Sequence, residues 1–153
     1  SQAAHAAERV ESMKVKQISA FVENAAGNLA DVITLLGKND INISAMSLAD
    51  TTDFGIVRMI VSDTQKAVDI LKEQGFAVKC TEVTALALDD TPGGLAKVLE
   101  ILKSENIGIE YLYAFVGKKD HRAMVVMRVS EPEKAETLFG DEFSADLTDI
   151  YHA

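Results

Sequence analysis

The chain has 153 residues, 48% of them hydrophobic, and its 24 acidic and 15 basic side chains give a formal net charge of -9. Phosphate contacts supply most of the affinity of nucleic-acid binders, so this acidity, unbroken by any Lys/Arg cluster, argues against a nucleic-acid partner. No apolar run approaches a membrane span, and the single cysteine, Cys80, excludes an internal disulfide and gives no sign of secretion; the chain reads as a soluble, cytoplasmic protein.

Ser1 to Ser12 is Ala-rich, lacks the apolar core of a signal peptide and reads as a loose leader or expression remnant before Met13. Met13 to Val22 is rich in β-branched residues and alternates Ile18, Ala20, Val22, which predicts a strand with one buried face. Leu29, Val32, Ile33 and Leu36 then share one helical face, and Gly37 to Asn42 breaks the helix. Ile41 to Leu48 and Gly55 to Val61 predict a hairpin around Asp50-Thr51-Thr52-Asp53. Asp63 or Thr64 caps a second helix presenting Ala67, Val68, Ile70 and Leu71, which ends near Gly75 before a strand over Ala77 to Glu82. Cys80 falls in that strand and is expected to be a buried structural thiol.

The chain then repeats itself. Glu23-Asn24-Ala25-Ala26-Gly27-Asn28-Leu29-Ala30 returns 66 residues later as Asp89-Asp90-Thr91-Pro92-Gly93-Gly94-Leu95-Ala96, and Val32, Leu36, Ile41 and Ile43 return as Val98, Leu102, Ile107 and Ile109. After a two-residue insertion, Val57, Met59, Val61, Ser62, Lys66 and Ala67 recur as Val125, Met127, Val129, Ser130, Lys134 and Ala135. The second copy therefore predicts strand Val83 to Leu88, helix Gly94 to Ser104, strands Ile109 to Val116 and Ala123 to Val129, helix Pro132 to Phe139 and strand Ala145 to Tyr151.

Strand, helix, strand, strand, helix, strand is the split βαβ order of ferredoxin-like folds. The expected architecture is α+β: two ferredoxin-like βαββαβ units, 13–82 and 83–153, with antiparallel sheets and both helices on one face. Units this small are marginal alone. No Gly/Pro/Ser linker separates them, so they are expected to be tightly coupled or to share a strand. Val57, Met59 and Val61 face the helices, which leaves Ile56, Arg58 and Ile60, with Met124, Val126 and Arg128 in the second unit, on the outer face. That face is too apolar for a purely solvated one and is expected either to carry scattered surface residues or to pack on another chain in a homodimer.

Chemistry is expected at the repeated loop before each first helix, because glycine permits close backbone approach and a helix N-terminus presents free N–H groups to an anion. The other reading of Gly27 and Gly93 is that they only make the turn; the polar companions Asn24 and Asn28 in one copy, Asp90 and Thr91 in the other, favour a ligand.

Glu23 to Ala30 with Asn39-Asp40-Ile41-Asn42-Ile43, and Asp89 to Ala96 with Glu105-Asn106-Ile107-Gly108-Ile109, resemble the ACT domain family across Met13 to Ala153. The resemblance implies non-enzymatic regulatory units that bind amino acids and pair side by side with joined sheets, the ligand lying near the strand-to-helix loop of one unit and the second strand of its partner. In serine-sensing members a polar loop residue and an Asn opening the second strand hold the ligand, and Asn24 and Asn42 match them; the ring residue often found before the loop is replaced by Val22 and Leu88. The implied ligand residues are Asn24, Ala26, Gly27, Asn28, Leu29 and Asn42 in the first unit, and Asp90, Pro92, Gly93, Gly94 and Leu95 in the second. Tyr111, which shares a strand face with Tyr113, has a minor role. Asp90 and Gly108 replace Asn24 and Asn42, so the sites are unequal, and repulsion of a carboxylate by Asp90 ranks the first loop higher.

Asp120-His121-Arg122 falls in a predicted turn and is expected to be a solvated hairpin tip. His5, His121 and His152 lack metal-ligand spacing, and no Ser-His-Asp order or P-loop occurs, so neither metal nor cofactor is expected. The Gly-rich loops also carry no Lys or Arg to hold phosphate, which removes a small phosphatase of the acylphosphatase kind. The expected function is regulatory binding of a free amino acid or similar small carboxylate where the two units meet. The alternative is an interaction module that has lost its ligand and serves as a regulatory subunit of a partner enzyme.

Overall fold

A computed structural model of the chain describes residues 14–23, 27–51, 53–116 and 122–144. The leader, Met13, Asn24 to Ala26, Thr52, the segment 117–121 and the final strand predicted at Ala145 to Tyr151 lie outside the described residues, as do His5, His121 and His152. The elements in chain order are β1 (Lys14–Glu23), α1 (Asn28–Lys38), β2 (Ile43–Asp50), β3 (Phe54–Val61), α2 (Thr64–Glu73), β4 (Ala77–Asp89), α3 (Gly94–Ser104), β5 (Ile109–Val116), β6 (Arg122–Val129) and α4 (Pro132–Phe139). The described residues form two compact units, one of residues 16–82 and one of residues 83–144 together with Lys14 and Val15. The residues predicted as two strands, Ala77 to Glu82 and Val83 to Leu88, form the single strand β4.

In the first unit β3 pairs antiparallel with both β1 and β2, with Ala20 opposite Val57 and Met46 opposite Met59. Ile18, Ala20 and Val22 of β1, Val57, Met59 and Val61 of β3, Val32 and Leu36 of α1, and Ala67, Val68 and Leu71 of α2 form one buried cluster. Alternation on the strands and 3.6-residue spacing on the helices put these side chains on the shared face. The second unit repeats the plan: β6 pairs antiparallel with β4 and β5, and Leu86, Leu88, Val98, Leu102, Val125, Met127, Val129, Ala135 and Phe139 form its core. Burying each large side chain contributes roughly 1.5–3 kcal/mol. Ser144 makes an antiparallel bridge to Leu86, and the Ala87 N–H donates to the Phe143 carbonyl at 3.0 Å, which lays the chain after α4 along β4.

The two motifs after α1 and α3 are helix stops. Asp40 and Asn106 take left-handed φ values of 57° and 55°. The Ile41 N–H then reaches the Leu36 carbonyl at 3.0 Å and the Asp40 N–H the Gly37 carbonyl at 3.2 Å; Ile107 to Leu102 and Asn106 to Lys103 do the same at 2.9 and 3.1 Å. This is the Schellman arrangement, which satisfies terminal carbonyls and drops an isoleucine into the core. The recurring serines have a structural use as well. Ser62 Oγ accepts from the Asn42 N–H and Ser130 Oγ from the Gly108 N–H, each at 3.0 Å, tying the start of β2 or β5 to the end of its hairpin partner. The recurring lysines reach from α2 and α4 to the ends of α1 and α3, where a cation opposes the negative end of the helix: Lys66 Nζ donates to the Asn39 carbonyl at 2.8 Å, and Lys134 pairs with Glu105 at 3.5 Å.

Three expectations need correction. Cys80 is exposed, because it lies on the part of β4 that the first-unit core does not cover. The outer sheet face offers less apolar surface to another chain than its sequence suggests, since Ile60, Met124 and Val126 are fully or almost fully buried within the single chain. Phe21 and Phe54, 40% and 47% exposed, remain open in the first unit. Arg122 is the first residue of β6 and half-buried, so it is no solvated tip residue.

Candidate functional site

Both strand-to-helix loops close on a glycine in the left-handed region, where other residues are strained. Gly27 (φ 92°) and Gly93 (φ 87°) are the N-caps of α1 and α3, and neither helix start has a side-chain cap. A helix leaves its first N–H groups without internal acceptors. At α3 the Gly94 N–H turns back to the Thr91 carbonyl at 3.0 Å, and Lys97 is the first residue whose N–H bonds down the helix, to the Gly93 carbonyl at 3.2 Å. The N–H groups of Leu95 and Ala96 therefore have no acceptor within the helix.

The loops differ in how they approach the strand before them. In the first, Asn28 Nδ2 donates to the Glu23 carbonyl at 2.9 Å. In the second the equivalent residue is Gly94, and the equivalent carbonyl, that of Asp89, lies 2.5 Å from where a Cβ would stand. Only glycine fits this approach.

Beside the second loop is a cleft of about 280 Å³. Thr91, Pro92, Gly93 and Gly94 form one wall, and Asp89, Lys97, Arg122, Glu142 and Phe143 complete it. Its volume lies just under the ~300–1,000 Å³ of drug-sized pockets, a size for a small metabolite. Three elements converge there for distinct reasons. The first turn of α3 carries Lys97. The β4–β6 register sets Arg122 opposite Asp89. Phe143, packed edge-on against Phe139 at 5.9 Å between ring centroids, anchors the segment that brings Glu142.

The charges alternate. Lys97 Nζ donates to Glu142 Oε1, and its ammonium lies 5.9 Å from the centre of the Phe143 ring. The hydrogen bond to Glu142, with the charges of Glu142 and then Asp89, raises the Lys97 pKa above the ordinary lysine value. Arg122 Nη2 donates to the carbonyls of Ala87 (2.8 Å) and Glu142 (3.2 Å). Its Nε, shielded from solvent, lies 3.9 Å from Asp89 Oδ1 and has no hydrogen-bond partner among the described residues. Two cations and two carboxylates around a glycine loop can receive a group that carries both charges.

Of the residues expected to bind, Pro92, Gly93 and Gly94 line this cleft, whereas Asp90 and Leu95 do not. Tyr111 sits on β5 opposite Arg128 and does not line it either. In the first unit Gly27, Asn28 and Leu29 open α1, and the backbone of Asn42 is bound to Ser62; Asn24 and Ala26 lie outside the described residues. The residue equivalent to Lys97 is Asp31, an acid in the first turn of α1. Sequence reading missed Lys97, Arg122, Glu142 and Phe143. Lys97 was visible as a cation one turn past Gly93, but Arg122 and Glu142 come from 28 and 48 positions beyond Gly94 in the chain and only the sheet register and the docked segment bring them in. Among the described residues no group of three His, Cys, Asp or Glu side chains is placed to hold a metal ion, and no helix is long and apolar enough to cross a membrane.

Comparison with known proteins points one way. Residues 13–144 match the family described as an ACT domain pair. The crystal structure of protein BT0572 from Bacteroides thetaiotaomicron is 40% identical, with a TM-score of 0.83, over 92% of this chain and 98% of that one. The ligand-free regulatory subunit of aspartate kinase from Thermus thermophilus shares the fold at 17% identity, with a TM-score of 0.58, over 82% of this chain and 89% of that one. The corresponding subunit from Thermus flavus gives 17% identity and a TM-score of 0.56, over 81% and 88%. No curated protein matches.

Proposed function

Because the chain belongs to the ACT domain family, carrying an ACT domain pair, we propose that it is a non-enzymatic regulatory protein that binds a free amino acid, with the second-unit cleft as the seat. The observation that carries this reading is the convergence of Lys97 and Arg122 on the Gly93–Gly94 loop at the start of α3. A ligand carboxylate would take Lys97 and the N–H groups of Leu95 and Ala96, where the helix dipole favours an anion. Its ammonium would face Asp89. This pairing lets a zwitterion give up water without leaving a bare charge. The geometry favours the second loop over the first, because the acid at Asp31 stands where Lys97 stands and opposes an anion at α1.

A ligand that binds only the folded state raises its stability, by about 2.7 kcal/mol at a hundredfold excess over the dissociation constant. A thermal-shift panel of the standard amino acids at millimolar concentration should therefore single out one or a few, and Lys97→Gln should abolish their shift. A flat response to every member would refute the reading.

A further inference from the structure

Glu142 is a carboxylate already seated on the cation that the ligand's carboxylate would need. We infer that Glu142 is a tethered competitor, whose carboxylate occupies the Lys97 seat in the free protein and is exchanged for that of the ligand on binding. This rests on the reading of the second-unit cleft as an amino-acid seat.

The backbone around Glu142 is held at several points while its side chain is not. Phe143 is buried against Phe139, its carbonyl accepts from the Ala87 N–H, Ser144 bridges to Leu86, and the Glu142 carbonyl accepts from Arg122. The carboxylate itself meets only Lys97 among the described residues, with the two side chains 58% and 60% exposed. A water-exposed ion pair is weak and exchanges readily, and replacing one carboxylate by another leaves the charge at Lys97 unchanged. An occupied seat lowers apparent affinity by the fraction of molecules in which it is open. The first unit has no such pair, because its equivalent of Lys97 is Asp31.

The test is calorimetric titration of the full chain with the standard amino acids and with acetate and succinate, comparing wild type, Glu142→Gln, Lys97→Gln and the double variant. Glu142→Gln keeps the size of the exposed side chain and removes its charge. The expected result is about three- to fivefold tighter binding of at least one carboxylate to Glu142→Gln than to wild type, the scale of an exposed ion pair, with no such gain in the Lys97→Gln background. A gain confined to acetate or succinate sustains the competitor and sinks the amino-acid reading. An amino acid bound by wild type and bound equally or more weakly by Glu142→Gln overturns the competitor and leaves the amino-acid reading standing, whereas a gain that persists without Lys97 overturns the competitor and removes Lys97 as the seat. No binding of any probe to any variant overturns both.

Discussion

The two units share most of their frame and differ most in the polar groups they present. Leu36 and Leu102, Ile41 and Ile107, Val57 and Val125, and Met59 and Met127 fill equivalent core positions. The helix stops, the serine ties and the register shifts at Ile43/Ala45 and Ile109/Tyr111 are also shared. Against that frame Asp31 becomes Lys97, Asn28 becomes Gly94 and Phe54 becomes Arg122. The cores are not identical: Ala20, Val22 and Leu71 become Leu86, Leu88 and Phe139, and Ile18 and Val68, packed in the first unit, are Thr84 and Glu136 in the second, where Thr84 Oγ1 donates to the buried Glu136 at 3.0 Å. A close-packed core accepts a change of volume only with repacking around it, whereas exposed loop side chains are tolerated in many forms. The two copies therefore keep one scaffold, with Asp31 in the first turn of one helix and Lys97, paired with Glu142, in the first turn of the other.

The largest effect should test the shared frame. Leu36→Ala and Leu102→Ala, each at a fully or almost fully buried site, should each cost about 2–5 kcal/mol in denaturant unfolding. A large loss in one and a negligible loss in the other would break the equivalence of the cores. Next come the unequal loops. Gly94→Ala forces a methyl against the Asp89 carbonyl and should cost about 1–3 kcal/mol, while Asn28→Ala removes one exposed hydrogen bond and should cost about 0.5–1.5 kcal/mol. Equal losses would mean that the second loop relaxes and that its close approach is not required.

The smallest effect concerns the Lys97–Glu142 pair. The Lys97 pKa is raised in the folded state, chiefly by the hydrogen bond to Glu142. Its stabilising contribution is therefore complete below the ordinary lysine pKa and is lost as pH rises through the raised value. Melting temperature should fall more steeply on the alkaline side for wild type than for Glu142→Gln. Superimposable alkaline limbs would show that the pair does not form in solution.

Much of this was legible from residue order. Among the described residues, period-two and period-3.6 patterns located the helices and strands to within a few residues, with the junction at Glu82/Val83 read as two strands where there is one, because these signals are local. The role of Asn39-Asp40-Ile41 was legible only in part: its recurrence was plain, but its work as a helix stop appears in the left-handed φ of Asp40. The loop motif drew attention to Gly93 and Gly94, which line a cleft, while the lack of cations near them in the sequence was a limit of looking along the chain.

What the sequence determined by itself is the duplicated βαββαβ plan, since side-chain period encodes which face each element buries. Tertiary structure alone decided the exposure of Cys80, the burial of Ile60, Met124 and Val126, and the gathering of Lys97, Arg122 and Glu142 at one loop. Those outcomes depend on strand register and on the docking of Phe143, which bring together residues with no periodic relation to one another. Coulomb interactions follow distance in space, so the charge of a site becomes visible only after the chain has folded around it.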